Sequence, residues 1–341
     1  PLIKIFSHAL GSEEIGDFKS LFFSGSFHQI AWFTVWQAFL STVLTMVLAL
    51  PAAYLIARYS FRGRRIFQVA TTVPFVLPTV VVAGAFTALF ERFGLDEGAF
   101  RLRHTVWALL AAHVFFNLAI AIRTVSTFWS GLDPRIEEQA KLLGATPWLI
   151  FRKITFPRLV PALTAASSIV FLFCLTSFGV ILLLAGPTRA TIETEIWRQA
   201  IWRGDIATAS SLAVIQLVAV VVMVLLMNYL QRRQAVVENR MDFVYEKAPR
   251  KLLVGNIFFL FIMIGLPIVV LFESSLKVGG SYSFQNFASL ADRVTLVPVS
   301  ALTALKNSLL FAAVATIFAS LLGCIASFVV VHGRRWVSNL F

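Results

Sequence analysis

Five residues in "DPRIEEQAKLLGATPWLIFRKITFP" (133–157) keep a spacing that suits a mechanical task rather than catalysis: Glu138, Ala140, Gly144, Ile154 and Pro157. Glu138 offers a carboxylate for a charge-assisted hydrogen bond to a basic group on another protein. Ala140, next to Gln139, keeps a docking face low, and Gly144 permits a sharp turn. A second set of polar residues sits inside apolar runs: Gln37, His113, Asn117, Thr176, Ser177 and Gln216. Each costs free energy in hydrocarbon unless it faces protein or water. His113 and Asn117 are four apart and share a helix face, but as a metal pair they lack a third ligand, and the five histidines are scattered. Interhelical hydrogen bonding and contact with a passing solute both remain open for this set. Glu193 and Glu195 are expected to be solvated on the outer side. The phosphate-binding pattern G-x-x-x-x-G-K-[ST] does not occur, so ATP chemistry is not expected in this chain.

The elements that must carry these residues are membrane spans. Apolar residues make up 58% of the 341, against roughly 45–50% in an average soluble domain. Charged residues fall to 13%, too few to cover the chain in water. Several runs reach the roughly 20 residues needed to cross a bilayer as a helix. Seven complete spans are expected, at about 30–57, 66–90, 105–122, 162–185, 209–230, 252–272 and 304–331. Cys174 and Cys324 both fall in apolar runs and carry no redox information. Pro74 and Pro78 can make either a hinge or a fixed kink in the second span.

The net charge of +12 is not spread evenly. Segments 58–65, 123–161, 231–251 and 332–341 hold 18 of the 29 lysines and arginines and 6 of the 17 acids. The remaining segments are electrically balanced. Such alternation is the positive-inside bias and puts those four segments in the cytoplasm; it argues against a basic patch for nucleic acid.

The chain also repeats itself. "PLIKIFSHAL" from Pro1 matches "PIVVLFESSL" from Pro267, and "TVWQAFLSTVLTMVLALPAAYLIAR" from Thr34 matches "SLLFAAVATIFASLLGCIASFVVVH" from Ser308. Ala38/Ala312, Thr42/Thr316, Leu48/Leu322 and Ala52/Ala326 fall in register. Duplication is a frequent transporter design. The expected organisation is a first half at 1–230 beginning partway through its first helix, a linker at 231–251, and the start of a second half at 252–341, with the chain truncated at both ends.

Within 133–157, Asp133 with Pro134 reads as a helix start, and Gly144 as a left-handed stop. Thr146–Pro147 opens a second short helix, which Pro157 is expected to end. The elbow is too short and too charged to span, and Ile136, Ala140 and Leu143 share one of its faces.

The pattern Glu138-x-Ala140-x3-Gly144-x9-Ile154-x-x-Pro157 resembles the EAA loop of the permeases of binding-protein-dependent ABC importers. Gln139 and Phe156 depart from that loop's usual alanine and leucine. "VPFVLPTVVVAGAF", "AHVFFNLAIAIR" and "FLFCLTSFGVILLLAGPTRATIETEIWRQA" look like the two-half permeases of ferric-iron and thiamine import. The resemblance implies an all-α polytopic protein with the type I ABC importer transmembrane fold, tandemly duplicated, in the bacterial inner membrane. It implies docking of the elbow on a pair of ATPase subunits, which hold the ATP and Mg, and an extracytoplasmic substrate-binding protein on the other side. It assigns docking to Glu138, Gln139, Ala140, Gly144, Ile154 and Pro157. "CLTSFGV" resembles the family's pore-lining helix, which favours solute contact for Thr176 and Ser177, with Gly179 allowing helices to approach. His113, Asn117 and Gln216 are further pathway candidates. Ferric iron is slightly preferred to thiamine. The competing class is an ion-driven secondary transporter, which calls for intramembrane carboxylates that the expected spans lack; a membrane-embedded enzyme would need a His, Asp or Ser/His constellation within them.

Overall fold

The computed structural model describes residues 24–233, 246–292 and 300–332, apart from 99 and 187, with side chains to Phe328. The expected partial first helix, most of the linker and the closing segment beyond His332 lie outside the described residues. The chain divides into two compact units, one ending at Leu271 and the other beginning at Phe272.

In the first unit, helix α1 runs 34 residues, Gly25–Arg58. Ser24 caps it by accepting the Phe27 N–H at 3.2 Å. The span expected at 66–90 is instead a broken pair, α2 (Arg64–Val76) and α3 (Thr79–Arg92), bent by 102°. The break falls at Leu77–Pro78 because proline lacks an N–H and forces the residue before it into extended backbone; Leu77 has ψ 136. Helix α4 (Val106–Ser130) starts on the Thr105 cap and runs past the expected end at 122.

The elbow follows as α5 (Arg135–Leu142) and α6 (Pro147–Ile150). Its second helix does not stop at Pro157. A π-helical turn, Phe151–Thr155, joins α6 to α7 (Phe156–Leu175), and the whole makes one 29-residue span, Pro147–Leu175. The wider π turn absorbs the hydrogen bond that Pro157 cannot donate, so the proline sits in a helical first turn, where it is tolerated. The span expected at 162–185 is therefore displaced toward the elbow. The helix ends at Leu175, and α8 (Gly179–Leu184) is separate.

Helix α9 (Ile192–Trp197), a π turn (Arg198–Arg203) and α10 (Ile206–Arg233) complete this run. Strand β1 (Tyr59–Ser60) pairs in parallel with β2 (Glu246–Lys247), which ties residues 246–247 to the end of α1. Helix α11 (Arg250–Leu260) continues through a π turn (Phe261–Gly265) into α12 (Leu266–Ser275). Six helices are long and apolar enough to cross a membrane, or seven counting the broken pair, among the described residues.

The core of this unit lies where α1, α4 and α7 meet. Ala49, Ala52, Ala53 and Leu55 pack with Leu109, Phe115, Leu118 and Ile122. Lipid tails are as apolar as leucine, so such packing is driven by close van der Waals approach, and small residues on α1 permit it.

In the second unit, β3 (Lys277–Val278) and β4 (Ser281–Tyr282) form a hairpin. Its turn, Gly279–Gly280, has φ of 57° and 87°, the backbone that a two-residue hairpin turn requires. Helix α13 (Gln285–Ala288) and a short 3-10 turn precede α14 (Ala301–His332).

Candidate functional site: the elbow and the polar seam

Local chemistry explains the elbow's shape. Asp133 Oδ1 accepts the Arg135 N–H at 2.9 Å, which holds the helix start one residue later than the Asp-Pro pair alone indicates. At the other end, the N–H of Ala145 reaches the Ala140 carbonyl at 3.0 Å and that of Gly144 reaches Lys141 at 3.0 Å. This closure needs a left-handed residue, and Gly144 supplies it with φ 84°. Thr146 then accepts the Leu149 N–H at 3.4 Å and restarts the helix.

The elbow turns its apolar side chains outward. Leu142 and Leu143 are 88% and 87% exposed and Trp148 is 68% exposed, with Ile136 and Leu149 beside them. Glu138, Gln139, Gly144 and Pro157 are also exposed, while Ala140 and Ile154 are half-buried. Of the six residues expected to dock, Glu138, Gln139 and Ala140 lie on α5, Gly144 at the turn, Ile154 in the π turn and Pro157 in the first turn of α7.

Glu137, which the spacing argument passed over, faces the opposite way. Its Oε1 accepts from Arg58 Nη2 at 2.9 Å and from Thr155 Oγ1 at 2.9 Å. Arg58 also donates to the Leu132 carbonyl at 2.9 Å. One carboxylate therefore joins the end of α1, the elbow helix and the π turn at the root of α7. A signal was available in the sequence: two adjacent glutamates on one helix point about 100° apart, so they cannot share a role.

Between the spans, the polar residues form a seam. Gln37 Nε2 donates to the Cys174 carbonyl at 3.0 Å, linking α1 to α7. Ser41 Oγ pairs with His113 Nδ1 at 3.0 Å, linking α1 to α4. Asn117 Nδ2 donates to the His113 carbonyl at 2.9 Å and reaches Cys174 Sγ at 3.4 Å. Interhelical bonding accounts for these three residues, all of them buried. Their remaining atoms, Gln37 Oε1, His113 Nε2 and Asn117 Oδ1, have no partner among the described residues.

A cavity of about 410 Å³ adjoins the seam, lined among others by His113, Asn117, Thr176, Ser177 and Gly179, together with four phenylalanines, Phe75, Phe116, Phe173 and Phe178. Five pathway candidates thus come together there; Gln216, on α10, does not line it. The break between α7 and α8 makes the cavity's polar edge. A Cβ on Gly179 would come within 2.5 Å of Thr79 Oγ1, so only glycine lets α8 seat against α3.

Of the two glutamates expected to be solvated, Glu195 is buried and Glu193 is half-buried. Glu195 is 7% exposed, bonding Gln199 Nε2 at 2.8 Å and Arg198 Nη1 at 3.2 Å. Burial pushes the Glu193 carboxyl up, opposed by the amide of Gln216. Thr191 and Thr194 cap α9 reciprocally. No cluster of three metal-ligating side chains occurs among the described residues.

The described residues form a multi-span helical protein with an exposed, apolar elbow between two of its spans. Residues 45–236 match the family described as "Binding-protein-dependent transport system inner membrane component", and the chain belongs to that family of ABC importer permeases. It is 31% identical over 209 residues to the sulfate transport system permease protein CysT of Escherichia coli K12, covering 59% of this chain and 75% of the relative. It is 31% identical to the thiamine transport system permease protein ThiP of Salmonella typhimurium LT2, again over 59% of this chain but only 39% of ThiP's length. The fold is that of the transmembrane part of a bacterial ABC transporter involved in alginate import, with TM-score 0.56, 21% identity, and coverage of 68% of this chain and 88% of that one.

Proposed function

We propose that this chain is the permease through which a small solute enters the bacterial cytoplasm across the inner membrane, driven by ATP hydrolysis on separate subunits docked at the elbow. One observation carries the reading: a corner built on Gly144 presents Leu142, Leu143 and Trp148 bare beside the carboxylate of Glu138. An apolar patch rimmed by polar residues is the signature of a protein contact. The elbow's cytoplasmic orientation rests on the charge asymmetry of the loops. ATP and Mg would be held by the partner ATPase, and an extracytoplasmic binding protein would deliver the solute.

For the solute we propose thiamine. A binding site walled by phenylalanines suits a flat organic cation, and no ionised side chain lines the cavity among the described residues. Sulfate, the cargo of the CysT relative, would call for basic donors, and ferric iron for carboxylates. Neither of the two relatives described above is an iron permease.

The test is uptake of labelled thiamine, with sulfate and ferric iron as comparison cargoes, in cells expressing the complete transporter. Gly144→Val and Glu138→Arg should insert at normal abundance, lose thiamine uptake and no longer co-purify with the ATPase. Normal uptake by either variant would discard the docking role. Uptake that persists without ATP but collapses with the ion gradient would favour a secondary transporter.

A further inference from the structure

We propose that Glu137 is the positioning residue that couples the elbow to the membrane spans, a role separate from ATPase docking. The inference rests on the functional reading above and extends it to a residue outside the docking pattern.

The elbow helix α5 packs closely on α6 and the π turn, but it reaches α1 through side chains. Cavities flank that connection. One of about 90 Å³ is bordered by Tyr54, Arg58, Tyr59 and Glu137. The other, of about 460 Å³, lies between Leu50, Tyr54 and Trp129 on one side and Glu137, Pro147 and Phe151 on the other. Apolar packing alone therefore leaves the elbow loosely seated behind its exposed corner.

The Glu137 carboxylate fills that gap with directional bonds. Arg58 and Glu137 are 8% and 17% exposed at 2.9 Å, so the pair is poorly screened by solvent. Arg58 ends the span that packs against both α4 and α7. Thr155 lies in the π turn, where the elbow passes into α7. A push on Leu142 and Leu143 reaches α7 along the chain itself, and it reaches α1 through this carboxylate. Without it, the elbow helix keeps the bond from Arg158 Nη1 to the Asp133 carbonyl at 3.3 Å at its start, but it loses its side-chain tie to α1 and can pivot about Gly144, whose φ is 84°. Motion of an ATPase would then be absorbed at the elbow rather than passed on.

The experiment uses the full-length permease assembled with its ATPase and binding protein in proteoliposomes, measuring ATP hydrolysed and labelled thiamine transported in the same sample. Glu137→Gln should keep ATP hydrolysis near the wild-type rate while thiamine moved per ATP falls about tenfold, within the range of ordinary coupling between sites. Thr155→Val, which spares the ion pair, should lower the same ratio by about twofold. The exchange Arg58→Glu with Glu137→Arg should recover most of the ratio lost in Glu137→Gln. A Glu137→Gln transporter with the wild-type ratio, or one that loses hydrolysis and transport in proportion, would overturn the inference. A wild-type chain that recruits no ATPase would overturn the functional reading and this inference together.

Discussion

Helices α1 and α14 carry matching sequences in different surroundings. Thr42 Oγ1 donates to the Ala38 carbonyl at 2.7 Å, and Thr316 Oγ1 donates to the Ala312 carbonyl at 2.7 Å, so the repeat reproduces even a local side-chain bond. Yet Ala38 and Ala52 are fully buried, whereas Ala312 and Ala326 are exposed in their own unit. The difference lies in neighbours, not in helix chemistry. In lipid an apolar helix is equally content bare or covered, so its sequence does not say which. What marks α1 is the polar residues that bind it sideways: Gln37 to α7, Ser41 to α4 and Arg58 to the elbow.

Four substitutions test that contrast. The largest effect is expected from Arg58→Ala, which strands a mostly buried carboxylate; it should cost about 3 kcal/mol in the thermal unfolding of the detergent-solubilised chain. A shift near zero would mean that water replaces the guanidinium. Next, Ala52→Phe should overpack the α1–α4 contact and cost about 2 kcal/mol, while Ala326→Phe should change stability by less than about 0.5 kcal/mol. Equal losses at the two positions would show that α14 is covered in the intact assembly. Gln37→Leu keeps the volume and removes the bond to Cys174, for about 1 kcal/mol; an unchanged melting profile would reassign the amide away from structure and toward the solute.

The smallest effect concerns α9. Burial favours the neutral form of Glu193, so its folded pKa lies above the unfolded one. The folded state then holds the proton more tightly. The resulting stabilisation is present in acid and is lost as pH rises from the ordinary glutamate range through the raised value. Glu193→Gln should abolish that slope and slightly stabilise the protein at neutral pH. A stability curve that rises across the same window would reverse the assignment.

Much of this was legible in the residues. Asp133, Gly144 and Thr146 act on backbone groups within three or four positions, so the start, the turn and the restart of the elbow follow from local rules. The spans follow from apolar length, although their ends drifted where a proline could be accommodated: Pro78 broke a helix, while Pro157, behind a π turn, did not. The pathway candidates were found as polar residues in apolar runs, but their sorting into a bonded seam and a cavity edge needed three helices in contact.

The sequence by itself determined the class of protein, the presence of several apolar spans and the elbow between two of them, because each depends on composition or on near neighbours. Only the tertiary structure decided that Glu137 points inward and Glu138 outward, and that Glu195 is buried and Glu193 half-buried. Those outcomes depend on Arg58 and on the packing of α9 against α10. Helical period places adjacent side chains on different faces, but only a partner distant in the chain determines which face is turned in.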